Sequence, residues 1–320
     1  MSASSAAPFV SRFYRSADGL DLHYRDYAGP PDAPFTVLCI PGLTRNARDF
    51  EVLAPHLAQR YRVLCVDLRG RGLSAYAKDP MTYVPPTYVR DVMALLKAER
   101  LRRVAFIGTS LGGLVSTVLT SIMPQRVLGI IVNDIGPEID AAGLKRIGSY
   151  LGKAKPILSW DDAAEAIKAI DGVIYPDYTS ADWQRMGRRR FRQEPDGSFR
   201  ADYDLDISKP FAGTNANPDL WPYFQRLRGI PAMVLRGANS DLLAAATVDR
   251  MRHEIPGLQA VEVPNRGHTP NLDEPVALSA IDRFLANLPH RNGPFTSIAR
   301  TLSGVAFMTK LALKGAGGSA

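Results

Sequence analysis

The stretch from Arg103 to Gly113 constrains this chain more than any other. The apolar run Val104-Ala105-Phe106-Ile107 leads into Gly108-Thr109-Ser110-Leu111-Gly112-Gly113, and an apolar, helix-like segment follows. Gly-x-Ser-x-Gly arises by chance in any loop rich in small residues. Between a strand and a helix it has a physical meaning. The turn is so tight that the serine takes a strained backbone conformation with its hydroxyl exposed, and the flanking glycines let strand and helix approach. Leu111 would then aim its N–H at a developing oxyanion, helped by the positive end of the helix. A phosphate cradle is the other use of such a turn, but no Lys-Ser/Thr follows the glycines as that motif requires.

The neighbouring pattern supports the strand–turn–helix reading. Arg12 to Arg15 and Leu20 to Tyr27 flank Ala17-Asp18-Gly19, a hairpin signal near a sheet edge. Phe35 to Ile40, Tyr61 to Asp67, Val104 to Ile107 and Val127 to Val132 are near-continuous apolar runs, as strands buried on both faces should be. Helical stretches are predicted between them at Asp49 to Gln59, Tyr88 to Glu99 and Leu111 to Met123, the last stopped by Pro124. This alternation implies a parallel sheet with helices on both faces and right-handed crossovers. It breaks after Asn133-Asp134-Ile135-Gly136-Pro137 and resumes with a strand at Ala232 to Arg236, a helix at Thr247 to Glu254, a strand at Gln259 to Val263 and a helix at Pro275 to Leu288. The expected organisation is a flexible N-terminus over 1–11, a core over 12–136 and 226–290, a helix-like inserted cap over 137–225, and a tail over 291–320.

An exposed serine hydroxyl is a poor nucleophile. It needs a histidine within hydrogen-bond reach, and that histidine needs an acid to fix its tautomer. Of five histidines, His23, His56, His253 and His290 fall where packing or surface roles suffice. His268 lies in Asn265-Arg266-Gly267-His268-Thr269-Pro270, directly after a strand, and ligand sites of open parallel sheets lie at the carboxyl ends of strands. Asp241, in Arg236-Gly237-Ala238-Asn239-Ser240-Asp241, follows another strand, and the order Ser110, Asp241, His268 suits this sheet. Asp134 is the rival acid, also just past a strand, unless it only caps the turn into the insertion. Gly42-Leu43, after the strand ending at Ile40, offers the Leu43 N–H as a second oxyanion donor beside that of Leu111.

Taken together, these residues resemble the α/β-hydrolase superfamily in its capped branch, which includes esterases, lactonases and carbon–carbon bond hydrolases. The resemblance spans Arg12 to Leu288. It rests on the serine turn, on Asp67-Leu68-Arg69-Gly70-Arg71-Gly72-Leu73-Ser74, and on Asp241 and His268 in their places. It implies a mostly parallel eight-stranded sheet with helices on both faces. A serine at position 110 argues against epoxide hydrolases and haloalkane dehalogenases, which would carry aspartate there. The oxyanion loop of the family usually begins His-Gly; here it is Pro41-Gly42, so the side-chain hydrogen bond that steadies that loop is expected to be missing.

Composition narrows the partners. The chain has 320 residues and a net charge of +7, with basic residues dispersed and no nucleic-acid motif. Cys39 and Cys65 lie in apolar runs and read as buried small hydrophobes, which suits a reducing compartment. Met1 to Pro8 lacks the basic start and apolar stretch of a signal peptide, so the cytoplasm is the expected location. No metal-ligand spacing is present, and the chemistry calls for neither metal nor organic cofactor.

Three stretches admit two readings. Arg185, Arg188, Arg189, Arg190 and Arg192 form a clamp for a substrate carboxylate, or a solvated face paired with Asp196, Asp202, Asp204 and Asp206, which is the simpler reading. Trp160, Trp183, Trp221 and Phe191 line an apolar pocket or form the core of the insertion. The tail places Ile298, Leu302, Val305, Met308 and Leu311 at helical spacing among Arg300, Lys310 and Lys314, so it touches a membrane or partner, or, the simpler reading, docks on the domain or is partly disordered.

The expected activity is hydrolysis of a small carbonyl substrate, foremost a carboxylic ester, through an acyl-enzyme. The rivals are cleavage of carbon–carbon bonds in keto-acids or of lactones, acyl transfer to an alcohol or peroxide, and a non-catalytic ligand-binding protein on the same fold.

Overall fold

The structure is a computed structural model and describes residues 8–153, 156–211, 219–289 and 299–309. Its strands are β1 (Val10–Arg15), β2 (Asp21–Tyr27), β3 (Thr36–Ile40), β4 (Arg62–Val66), β5 (Val104–Thr109), β6 (Val127–Asn133), β7 (Phe191–Gln193), β8 (Phe199–Ala201), β9 (Ala232–Gly237) and β10 (Gln259–Val263). Eight of them form one sheet in the order β1-β2-β4-β3-β5-β6-β9-β10, while β7 and β8 make a separate hairpin. Pairing is antiparallel from β1 to β2 and from β2 to β4, and parallel from β4 onward, so β2 alone runs against the rest.

The apolar runs account for this arrangement. Every residue of β3, β5 and β6 is buried, because helices cover both faces. Leu38 and Ile40 enter a core with side chains of α2 (Pro85–Ala98), α3 (Leu111–Ile122) and α8 (Ala245–Glu254). The alternate residues Val37 and Cys39 enter a second core with α1 (Leu53–Leu57) and α9 (Pro275–Ala286). Cys39 and Cys65 are free and buried there. The helix expected over Asp49 to Gln59 is shorter than its pattern. A 3₁₀ turn (Ala47–Phe50) precedes α1, and the Ala47 N–H is drawn to the Asp67 carboxylate at 2.6 Å instead of opening a longer helix.

Between β6 and β9 the chain forms α4 (Ala141–Tyr150), α5 (Trp160–Asp171), α6 (Ser180–Arg190), the β7–β8 hairpin and α7 (Trp221–Phe224). The hairpin departs from the helix-like expectation, and its cause is local. Pro195-Asp196-Gly197 is a turn signal, with Gly197 at φ +87° and the Asp196 carboxylate accepting from the Ser198 N–H at 2.9 Å. Ala164, Ile167, Ile174, Tyr175, Trp183 and Met186 give this segment its own small core. It also crosses the carboxyl ends of the parallel strands. Gly72 N–H donates to the Asp202 carbonyl (3.1 Å), Gly267 N–H to that of Ile174 (2.9 Å), and Asn46 Nδ2 to that of Arg189 (3.0 Å).

The aromatic residues divide between the two readings. Trp183 belongs to the small core, Phe191 lines a cavity, Trp160 packs edge-on against Phe199, and Trp221 donates to Glu138 at 2.8 Å. In the tail, residues 299–309 are helical and lie on the domain. Phe307 meets Tyr223 edge-on, and Arg300 donates to the carbonyls of Val127 (3.0 Å) and Gly229 (2.7 Å). Leu302, Val305 and Met308 stay exposed, while Ile298, Lys310, Leu311 and Lys314 lie outside the described residues, as do Met1 to Ala7 and His290. Among the described residues, no helix is long and apolar enough to cross a membrane.

Candidate active site

Ser110 joins β5 to α3 at φ +52° and ψ −117°, a conformation that few non-glycine residues adopt. The glycines beside it are required by contact. A Cβ at Gly108 would lie 2.3 Å from the Gly112 carbonyl oxygen, and one at Gly112 would lie 2.0 Å from that of Ile40. The strained turn is held by Ser110 N–H donating to the Asn133 carbonyl (2.9 Å) and by its own carbonyl accepting from Gly113 (2.8 Å).

His268 follows β10 and is 7% exposed. Its Nε2 lies 2.9 Å from Ser110 Oγ, and its Nδ1 lies 2.8 Å from Asp134 Oδ2. The expectation that Asp241 would serve His268 is therefore corrected in favour of its rival. Asp134 follows β6 at φ +57° and is fully buried. Besides His268, its carboxylate accepts from the Gly237 N–H (2.8 Å) and the Ser240 hydroxyl (2.7 Å). These donors come from the end of β9 and the loop after it, so the carboxylate buried between β6 and β9 has partners on both oxygens.

Asp241 is one residue beyond Ser240 but turns the other way. It makes a two-pronged ion pair with Arg146 of α4, at 2.6 and 2.9 Å. The hydrogen bond from Arg146 holds its carboxyl below the ordinary carboxylate range. The same loop receives α4 through its backbone: Gly143 N–H donates to the Asp241 carbonyl (2.9 Å), and Asp140 N–H to that of Leu242 (3.0 Å). Asp241 thus fastens the inserted segment to the core beside His268.

The loop after β3 passes close to Ser110. A Cβ built at Gly42 would lie 3.7 Å from Ser110 Cβ. Leu111 is the first residue of α3, so its N–H is one of those a helix leaves without an intrahelical partner. The loop is not left unsteadied by Pro41. Arg71, fully buried, donates through Nε to the Leu43 carbonyl (2.9 Å), through Nη1 to that of Arg69 (2.6 Å), and through Nη2 to the Tyr88 hydroxyl (3.0 Å). Sequence reasoning noticed Arg71 within Arg69-Gly70-Arg71-Gly72 but gave it no task. Ser240 and Arg146 carried no local signal at all, since each acts through a residue distant in the chain.

The arginines of α6 and the residues after it are mostly engaged. Arg185 pairs with Asp182, Arg189 with Glu51, and Arg192 with Glu194 and Asp202, while Arg188 lies over the Trp160 ring. Arg190 pairs with Asp171. Of the four acids expected to meet this cluster, Asp202 does so.

A cavity of about 670 Å³ lies beneath the inserted segment, lined by Thr44 of the β3 loop together with Tyr150, Ile167, Arg190, Phe191 and Tyr203 among others. Its size is that of a small-molecule site.

The chain is similar to several known proteins. It is 32% identical, over 89% of its length and 99% of the relative's, to the 3-hydroxybutyrate-oligomer hydrolase of Cupriavidus necator. It is 28% identical, over 78% of its length and 87% of the relative's, to the 2-(acetamidomethylene)succinate hydrolase of Mesorhizobium japonicum. The crystal structure of an alpha/beta hydrolase from Novosphingobium aromaticivorans superposes with a TM-score of 0.84 at 44% identity, over 88% of this chain and 99% of that one. Residues 37–281 match the alpha/beta hydrolase family as a whole, and with the sheet and serine turn described above this chain belongs to that family.

Proposed function

We propose that the protein is a serine hydrolase of carboxylic esters, acting on short oligoesters of small hydroxyacids. The observation that carries the chemistry is the unbroken hydrogen-bond chain Ser110 Oγ to His268 Nε2 and His268 Nδ1 to Asp134 Oδ2. The substrate class is supported by the near full-length similarity to a 3-hydroxybutyrate-oligomer hydrolase.

In this reading His268 takes the Ser110 proton as the hydroxyl attacks the ester carbonyl. Asp134 holds the imidazole in the tautomer that presents Nε2 to serine and stabilises the imidazolium that forms. The N–H groups of Leu43 and Leu111 receive the oxyanion, and Arg71 keeps the Leu43 peptide in place. The alcohol leaves with the proton from His268. Water, deprotonated by the same imidazole, then releases the acid. The segment between β6 and β9 acts as a cap that excludes bulk water and shapes the cavity.

The test is turnover of short and medium p-nitrophenyl esters and of linear 3-hydroxybutyrate dimers and trimers, by wild type and by Ser110→Ala. Wild-type turnover that Ser110→Ala loses by at least about a thousandfold supports the reading. Keto-acids and lactones belong in the same panel. Turnover of either well above every ester would replace ester hydrolysis with the corresponding rival. Tight binding without turnover, unchanged in Ser110→Ala, would make the protein a ligand-binding one.

A further inference from the structure

One functional group at the cavity wall has no task in the chemistry above. Arg190, the last residue of α6, lines the cavity and gives Nη1 to Asp171. Its Nε and Nη2 are buried and, among the described residues, have no hydrogen-bond partner. These two N–H groups point in parallel from one edge of the guanidinium, the edge that matches both oxygens of a carboxylate. Among the described residues, three arginines use this edge for that purpose. Arg62 holds Asp26 through Nε and Nη2 at 2.9 and 2.8 Å, Arg69 holds Asp91 at 2.7 and 2.7 Å, and Arg146 holds Asp241 at 2.6 and 2.9 Å. At Arg190 the same edge is buried and meets no acceptor among the described residues. A buried donor without an acceptor is costly, and a charged one more so.

The acids that share the cavity wall do not fill this edge. Asp204 accepts from the Tyr83 hydroxyl (2.6 Å) and the Asp206 N–H (3.0 Å), and Asp206 pairs with Lys209. Arg200, also on the wall, is held by Glu194, and Lys153 donates to the Ser149 carbonyl. Thr44, the residue after Leu43, is the part of the β3 loop that lines this wall, while Ser110 and His268 do not line it.

We propose that the Nε–Nη2 edge of Arg190 is the subsite for a free carboxylate on the substrate, which for a hydroxyacid oligoester is its acid end. This rests on the ester-hydrolase reading and deepens it. In such an oligomer every ester has the free carboxylate on its alcohol side. Arg190 therefore holds the leaving portion, and the hydroxyl-terminated portion stays on Ser110 as the acyl group. Both nitrogens are shielded from solvent, so binding requires the Arg190 side chain to turn this edge toward the cavity it lines. The anchor acts in acylation and not in deacylation, because the carboxylate has left before water attacks.

The experiment compares the linear 3-hydroxybutyrate trimer with its methyl ester, in wild type, Arg190→Lys and Arg190→Gln. Lysine keeps the charge beside Asp171 and loses the fork. The readout is the ratio of kcat/KM for the acid to that for the methyl ester within one protein, which cancels any loss of folded enzyme. The ratio is expected to exceed one in wild type and to fall about tenfold or more in both variants. In parallel, calorimetry follows trimer binding to Ser110→Ala and to Ser110→Ala/Arg190→Lys, with binding weakened to a similar degree in the double variant. A wild-type ratio at or below one, or a ratio and a trimer affinity that the substitutions leave unchanged, overturns the subsite. If wild type cleaves neither compound nor any p-nitrophenyl ester, the hydrolase reading fails instead, and the calorimetric comparison still decides whether Arg190 binds a carboxylate.

Discussion

Asp134 Oδ2 lies 2.8 Å from His268 Nδ1, across 134 positions of chain, while Asp241 is fastened to Arg146 on the neighbouring loop. Two aspartates therefore stand at the ends of adjacent strands, β6 and β9, and divide two tasks. One is fully buried and hydrogen-bonded to an imidazole. The other is a third exposed and latches α4.

This division predicts opposite phenotypes. Asp134→Asn favours the wrong imidazole tautomer and is expected to lower kcat by roughly 10³–10⁴-fold with the fold intact. Asp241→Asn should change kcat less than about tenfold and act mainly on KM, since it loosens the segment that shapes the cavity. Steady-state kinetics on one p-nitrophenyl ester decide between them, and the reversed pattern would return the catalytic task to Asp241.

The latch also has a pH signature. The Asp241 carboxyl is held below its ordinary range by Arg146, so it contributes stability that is present above the unfolded value of about 3.9. That contribution disappears as pH falls through the lower folded value. The stability difference between wild type and Asp241→Asn should be flat between about pH 5 and 8 and shrink as pH falls below the unfolded value. Urea unfolding at several pH values measures it, and a difference that changes across the neutral range would contradict the assignment.

Arg71 is a positioning residue for the Leu43 loop. Arg71→Met removes the donor at the Leu43 carbonyl and is expected to lower kcat by about 10- to 100-fold while KM moves less than about threefold. Stability should fall by about 1–3 kcal/mol, because the Leu43 and Arg69 carbonyls lose a buried partner. Partial recovery of kcat in Arg71→Lys separates positioning from simple loss of fold. Replacing the Leu43 or Leu111 side chain with alanine should change kcat far less, as both are proposed to act through backbone N–H groups.

Glycine substitutions should sort by contact. Gly112→Ala places a Cβ 2.0 Å from the Ile40 carbonyl oxygen, and no soluble, active protein is expected. Gly148 lies inside α4 with nothing within 4 Å of its Cβ position. Gly148→Ala should raise stability by about 0.5–1 kcal/mol, through helix propensity and a less mobile unfolded chain. Denaturant midpoints with unchanged slopes test this.

Much of the fold is legible in residue order, because a strand covered on both faces must be apolar throughout. The runs Phe35 to Ile40, Tyr61 to Asp67, Val104 to Ile107 and Val127 to Val132 carry that signature, and each contains a central strand. Ser110 and His268 could be picked out for a similar reason. A tight glycine turn has a local pattern, and His268 is the histidine in the loop directly after a parallel strand. The β7–β8 hairpin was not anticipated, although Pro195-Asp196-Gly197 carries a turn signal within a stretch read as helix-like.

The partner of His268 was of another kind. Asp134 and Asp241 both follow strands, and chain order favours the wrong one. Nothing local separates a carboxylate that turns inward from one that turns toward α4. The choice is made by φ +57° at Asp134, by the Ser240 hydroxyl and Gly237 N–H that meet it, and by Arg146 arriving from a helix almost a hundred positions before Asp241. Periodicity and turn chemistry act between near neighbours, so the sequence by itself determined the sheet, the turn at Ser110 and the histidine that meets it. Hydrogen-bond partners of buried charges are set by which strand ends lie side by side, and so the carboxylate that meets His268, the Arg71 support and the unpartnered edge of Arg190 were decided only by the tertiary structure.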